Sequence, residues 1–194
     1  MRSLFRLPQV YPITDTKISG LSHADQVAVF AERGATVVQL REKRATALEF
    51  YESAKAALAV AVERGVQLIV NDRVDIALAI GAAGVHLGQD DLPPEVARRL
   101  LGDDAVIGYS THSVAQALEA SSLPIDYLAI GPIFATSTKE TPDPVVGLEG
   151  LRAVREAIGS LPLVAIGGLT PVNTADVLAV GADSVAMISG LWSR

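Results

Sequence analysis

Eight short apolar runs, separated by segments with helical spacing, constrain this chain more than any other feature. The runs are VYPIT (10–14), TVVQL (36–40), QLIV (67–70), GVHL (84–87), AVIGY (105–109), YLAI (127–130), LVAI (163–166) and SVAMI (184–188). Their near-continuous apolar character is that of strands buried on both faces, as in parallel sheets covered by helices. Between them lie Ala-rich segments such as ALEFYESAKAALAVAVERG (47–65) and VAQALEAS (114–121), with apolar residues at helical intervals. The phrases ERGATVVQL, GAAGVHL and VGADSVAMI repeat one junction, and ERGVQLIV compresses it. Each is a helix end, a glycine suited to a left-handed cap, and the start of a strand. The pattern predicts an α/β fold of the (β/α)8 TIM-barrel class, one domain over 1–194, with right-handed crossovers. A doubly wound open sheet is the alternative. GLWSR follows the eighth run almost at once, so the eighth helix is expected to be truncated or missing.

Composition narrows the chemistry. With 16 Lys and Arg against 22 Asp and Glu, the net charge of −6 argues against a general affinity for nucleic acid or anionic membrane. One local basic pocket remains compatible with it. The chain has no cysteine, which excludes disulfides, thiolate nucleophiles and cysteine-ligated metals. No stretch reaches the ~18 consecutive apolar residues of a membrane span, and no secretory-type segment opens the chain. A cytoplasmic protein is expected.

Active sites of parallel barrels gather at the C-terminal ends of the strands. The second run ends in Gln39, Arg41, Glu42 and Lys43, the third in Asn71 and Asp72, and the fourth in His86, Gln89, Asp90 and Asp91. The fifth offers Ser110, Thr111 and His112. The sixth opens GPIFATSTKETPDP, whose Thr136, Ser137, Thr138 and Lys139 suit phosphate and whose length suits a closing loop. Carboxylates, cations and hydroxyls on one rim suit a polyphosphate with a divalent metal such as Mg²⁺. Strand alternation puts Gln39, Arg41 and Lys43 on one side, where two cations call for an anion between them; a solvated loop with Glu42 as partner is the plainer reading. Asp72 and Asp91, on neighbouring strand ends, can bridge one ion. Each is also a favoured helix cap; Asp72 is expected to start the following helix as well as face the metal. Arg73 is expected in a surface or salt-bridge role. Gly167 and Gly168 would let backbone amides approach a second phosphate, aided by a helix beginning near Pro171 and by Ser189. His86 and His112 suit structural hydrogen bonding at least as well as catalysis, and His23 carries no signal. Two anion sites imply two phosphorylated substrates, one of them a diphosphate.

Along nearly its whole length the sequence resembles the thiamine phosphate synthase family. The resemblance rests on QLREK (39–43), VNDRVDIAL (70–78), GVHLGQDDLP (84–93), THS (111–113), GPIFATSTK (131–139), VAIGG (164–168) and GADSVAMIS (181–189), in that order and spacing. It implies condensation of a hydroxymethylpyrimidine diphosphate with a thiazole phosphate, giving thiamine phosphate and pyrophosphate. It also implies that Gln39, Arg41, Lys43, Asn71, Ser110 and Lys139 hold the pyrophosphate, with Arg41, Lys43, Ser110 and Lys139 carrying catalysis. By the same pattern Asp72 and Asp91 bind Mg²⁺. Thr136 and Thr138 match positions near the thiazole phosphate, which Gly168, Ile188 and Ser189 match in holding. The expected partners are therefore small molecules, with neither nucleic acid nor membrane among them; a homo-oligomer is compatible with the sequence and not specified by it. The chain departs from the family at its end and at Tyr109, where a small aliphatic is expected; the tyrosine is expected to affect pocket shape only. A thiazole tautomerase with His112 as acid/base, and a non-catalytic thiamine-phosphate-binding regulator, are the alternatives. Retention of Arg41, Lys43, Asp72 and Asp91 argues against both.

Overall fold

In the computed structural model, which describes residues 5–136 and 143–192, each predicted run is a strand. They are β1 (Val10–Pro12), β2 (Val37–Leu40), β3 (Gln67–Asn71), β4 (Gly84–Leu87), β5 (Val106–Thr111), β6 (Tyr127–Ile130), β7 (Leu163–Ile166) and β8 (Ser184–Met187). Among the described residues they form one sheet in the order β1-β8-β7-β6-β5-β4-β3-β2, with every adjacent pair parallel. Ile13 bridges Gln39 in parallel, and the Thr14 amide donates to the Gln39 carbonyl at 2.9 Å. The two ends of the sheet thus meet beside the C-terminal rim and close a barrel.

Helices α1 (Thr16–Ser19) and α2 (His23–Glu32) follow β1. Then α3 (Ala47–Arg64), α4 (Val74–Ile80), α5 (Pro94–Leu101), α6 (Val114–Ala120), α7 (Gly147–Ile158) and α8 (Thr174–Val180) follow β2 to β7 in turn. The stop signal of α3 acts as the sequence predicts, and its start carries a cap of its own. Thr46 and Glu49 form a reciprocal capping box, and Gly65 ends the helix at φ 67 in the left-handed region. After β8 the described chain makes one 3-10 turn, Ser189–Leu191, in place of a helix. Trp192 packs on Phe30 of α2 with ring centroids 5.5 Å apart, under the Arg33 guanidinium at 5.6 Å. Among the described residues no α-helix follows β8, and Leu191 with Trp192 joins the outer core there.

Strand alternation divides the core into layers. Outward-facing residues such as Leu40, Leu68, Leu87, Leu128 and Leu163 pack beneath the helices, each large buried side chain contributing about 1.5–3 kcal/mol. Inward-facing Tyr11, Val37, Ile69, Val106, Tyr127, Val164 and Ala186 fill the barrel. Toward the C-terminal ends the inward positions turn polar, with Gln39, Asn71 and His86 all buried. That gradient opens a site at one end of a barrel that is packed at the other.

The packed end is pinned by a repeated ion pair. Arg98 of α5 donates to the Pro124 carbonyl and to the Asp126 carboxylate (2.7 Å), which also accepts from the Ile107 amide at 2.8 Å. Arg155 and Asp183, again 28 positions apart, repeat the device, with Asp183 accepting from the Leu163 amide at 2.8 Å. Each pair ties a helix end to the starts of two strands and satisfies carbonyls that would otherwise lack donors. Asp126→Ala is expected to lower stability by about 1–3 kcal/mol, read as a lower urea midpoint at unchanged m-value. A midpoint equal to the parent's would refute this role.

Candidate active site

A cavity of about 560 Å³ opens at the C-terminal mouth of the barrel, a volume suited to small molecules. Gln39, Arg41 and Lys43 all line it, as alternation along β2 predicts. Gln39 donates from Nε2 to the Tyr11 hydroxyl at 3.3 Å. Arg41 donates to Asp15 Oδ2 at 2.9 Å, while Asp15 Oδ1 caps α1 by accepting from the Lys17 and Ile18 amides. Asp15 escaped the sequence reading because an aspartate before a helix reads as a cap; here it also steers the arginine. Lys43 donates to the Asp72 carboxylate. Glu42 is not their partner: it accepts from the amides of Lys43, Arg44 and Ala45, at 2.8, 2.8 and 3.3 Å. Burial opposes its ionisation, but those amides prevail and hold its carboxyl below the ordinary range.

The two aspartates are not caps. Asp72 has φ 63, the left-handed region in which Asp is among the better tolerated residues, and its amide donates to the His86 carbonyl at 2.8 Å. The cap of α4 is Arg73, with no side-chain capping bond. Asp72 therefore does not start the helix, and its carboxylate is left to the mouth of the barrel. Asp91 likewise leaves the cap of α5 to Pro93 and accepts from the Gly88 amide at 2.7 Å. Burial first, and then the charge of Asp72, push the Asp91 carboxyl above its ordinary range despite Gly88 and Lys43. Two carboxylates crowded in this way, with hard oxygens facing a cavity, form a donor set that fits a divalent cation. Among the described residues no third acidic or histidine ligand joins them, so water and substrate oxygens would complete the coordination. Beside them Asn71 is buried, and its Nδ2 has no partner among the described residues. Arg73 takes the predicted salt-bridge role, donating to Asp75 at 2.8 Å.

Ser110 stands at the end of a buried chain of hydrogen bonds. Its Oγ is 2.8 Å from His86 Nε2, and His86 Nδ1 is 2.9 Å from the Tyr127 hydroxyl. Tyr127 meets the Tyr11 hydroxyl at 3.1 Å, and Tyr11 accepts from Gln39. The Tyr127 ring lies between Phe5 and His86, with centroids 5.9 and 5.4 Å away. Gly108 makes this possible, because a Cβ there would sit 2.1 Å from the Tyr127 ring and 2.5 Å from His86 Nδ1. Burial drives the His86 pKa down to about 4 and that of Tyr11 up to about 12. The tyrosines gave no functional signal in the sequence, since an aromatic in an apolar run reads as core. His112 also lines the cavity, donating from Nδ1 to the Gly131 carbonyl at 2.7 Å with Asp143 3.5 Å away.

The opposite wall is formed by Gly167, Gly168, Ile188 and Ser189, with Thr136 beside them. Gly168 has φ 67, and a Cβ there would meet the Ala135 carbonyl oxygen at 2.7 Å, so the chain after β7 lies directly on the chain after β6. The helix expected near Pro171 begins instead at Thr174. The intervening turn is held by Asn173, which accepts from the Thr170 amide at 2.9 Å and donates to the Gly168 carbonyl at 3.1 Å. Ser137, Thr138 and Lys139 lie outside the described residues. Tyr109 departs from expectation: outward-facing between Gly108 and Ser110, it lines a shallow groove with Gln116 and Leu123 and leaves the cavity's shape untouched.

The family described as thiamine monophosphate synthase matches residues 10–191. The chain is 47% identical over 184 residues to the thiamine-phosphate synthase of Chloroflexus aurantiacus, covering 94% of this chain and 84% of that one. It is 48% identical over 186 residues to the thiamine-phosphate synthase of Natronomonas pharaonis, covering 94% and 86%. Its fold is similar to the solved thiamine phosphate pyrophosphorylase from Pyrococcus furiosus, with a TM-score of 0.83 and 40% identity over 93% of this chain and 85% of that one.

The buried imidazole makes a test of its own. With the folded-state pKa of His86 near 4 against an ordinary 6.5, the unfolded chain takes up this proton first as the pH falls. The stability tied to the neutral ring is intact above pH 6.5 and is lost on acidification toward pH 4, by at most about 3 kcal/mol. His23, held low chiefly by burial, acts in the same direction. Urea midpoints from pH 7 to 4 should fall less steeply in His86→Gln than in the parent. Parallel curves would show that the ring is not held neutral.

Proposed function

Because the chain belongs to the thiamine monophosphate synthase family, we propose that it is a thiamine phosphate synthase, joining a pyrimidinylmethyl diphosphate to a thiazole phosphate across this cavity. One observation carries the reading: Arg41, Lys43, Asn71, Asp72, Asp91 and Ser110 converge on one wall, from the ends of four neighbouring strands, opposite the Gly168 wall. The diphosphate binds the first wall. Arg41, already oriented by Asp15, and Lys43 neutralise its oxygens, and the Asn71 amide, unpartnered among the described residues, and the Ser110 hydroxyl donate to it. Gln39 supports the same wall from inside the barrel. The thiazole phosphate binds the second wall at Gly168, Ile188, Ser189 and Thr136. Thr138 and Lys139 match family positions in these two roles and lie outside the described residues.

Asp72 and Asp91 would hold Mg²⁺, which when bound withdraws charge from the departing pyrophosphate. Lys43 sits on Asp72 in this structure. Substrate binding exchanges that pairing, giving Lys43 to a phosphate oxygen and freeing the carboxylate. The pyrimidine C–O bond then breaks with its electron pair leaving on pyrophosphate, and the resulting cation is delocalised over the ring. The thiazole nitrogen lone pair forms the new C–N bond. Alignment and leaving-group neutralisation suffice for this chemistry, and no protein nucleophile is needed.

Mixing both substrates with Mg²⁺ should yield thiamine phosphate, and omitting the metal should abolish it; no product at saturating substrates would sink the synthase reading. Asp91→Ala should lose about 10²-fold or more in turnover, together with its dependence on Mg²⁺, and keep the parent's thermal midpoint. Near-parental turnover in that variant would instead overturn the metal assignment.

A further inference from the structure

The buried chain from Gln39 to Ser110 has a direction. Its members come from five strands, β2, β1, β6, β4 and β5. The Gln39 Nε2 amide only donates, so the Tyr11 oxygen accepts from it. Among the described residues the Tyr11 proton then has only the Tyr127 oxygen as acceptor, at 3.1 Å, and in that order the Tyr127 proton has His86 Nδ1, at 2.9 Å. A ring that accepts at Nδ1 carries its proton on Nε2 and donates it to Ser110 Oγ. The hydroxyl protons of Tyr11 and Tyr127 are thereby both used. The Ser110 proton alone lacks an acceptor among these five residues, and Ser110 is the more exposed end of the series where it meets the cavity.

In the reverse order Ser110 would donate inward to His86 and turn only lone pairs toward the cavity, where they would repel an anion. Gly108 is the structural counterpart of this arrangement, since any side chain there would occupy the space of His86 and Tyr127.

We propose that Tyr11, Tyr127 and His86 are positioning residues that lock His86 in its Nε2–H tautomer and so hold the Ser110 hydroxyl as a donor to the leaving pyrophosphate. The proposal rests on the reading that the diphosphate meets Ser110. In this role the three act through Ser110, and no proton is transferred along the hydrogen bonds; their work is orientation, prepared before substrate arrives.

Two measurements test it. Nitrogen-15 spectroscopy of histidine-labelled protein, with the His86 signals assigned by their loss in His86→Asn, should show a bare Nδ1 and a protonated Nε2. The opposite tautomer would overturn the proposal whether or not the protein turns substrate over, so this result is separate from any failure of the synthase reading. Tyr127→Phe removes the donor to Nδ1 and should lower kcat about tenfold with the KM for thiazole phosphate unchanged. In a Ser110→Ala background the same substitution should cost less than about twofold, because the hydroxyl it orients is already gone. Fully additive losses would place the effect of Tyr127 elsewhere and refute the relay.

Discussion

The interior of an eight-stranded barrel is a poor place for a polar side chain, because water cannot reach it and every unmet donor or acceptor costs about 1–3 kcal/mol. This protein places Gln39, Tyr11, Tyr127, His86 and Ser110 there and satisfies them with one another. The arrangement joins five strands, sets the boundary between packed barrel and open cavity, and presents a serine hydroxyl at that boundary. It depends on the vacancy at Gly108, since both rings occupy the space that a Cβ would take. Above it the mouth can be charged and hydrated; below it Val37, Ile69, Val106 and Val164 pack as an ordinary core.

Electrostatics at the mouth follow a similar economy. Neither cation on the first wall stands alone, because Asp15 holds Arg41 and Asp72 holds Lys43. The two holders differ. Asp15 is also anchored to the amides of α1, so its pairing is part of the fold. Asp72 is partly exposed beside Asp91, so its pairing is open to exchange. A guanidinium fixed by the fold and an ammonium on a partly exposed carboxylate suit the diphosphate and cation proposed for this wall. The second wall works by shape, through the close approach of Gly167 and Gly168 to the loop after β6.

Much of this was legible in the sequence, and the misses share a cause. Strand positions, the helix–glycine–strand junctions and the common orientation of Gln39, Arg41 and Lys43 follow from periodicity, which is local. An aspartate before an apolar helix reads as its cap, but the left-handed turn at φ 63 turns Asp72 away from that role. Tyr109 adjoins Ser110 in sequence, yet alternation along β5 sends neighbours to opposite faces and keeps it out of the cavity. The helix expected at Pro171 begins later because Asn173 holds the intervening turn.

Alternating apolar runs and helical segments, read alone, determined a parallel α/β sheet, with a barrel favoured over a doubly wound open sheet, the rim on which function would gather, and the types of residue on that rim. Family resemblance added the reaction. Tertiary structure decided which of those residues touch: Asp15 with Arg41, Lys43 with Asp72, Asp72 beside Asp91, and His86 with Tyr127 and Ser110. The physical reason is separation along the chain. Tyr11 and Tyr127 lie 116 residues apart, and no local pattern records that two aromatic residues in separate apolar runs will meet hydroxyl to hydroxyl once the barrel closes.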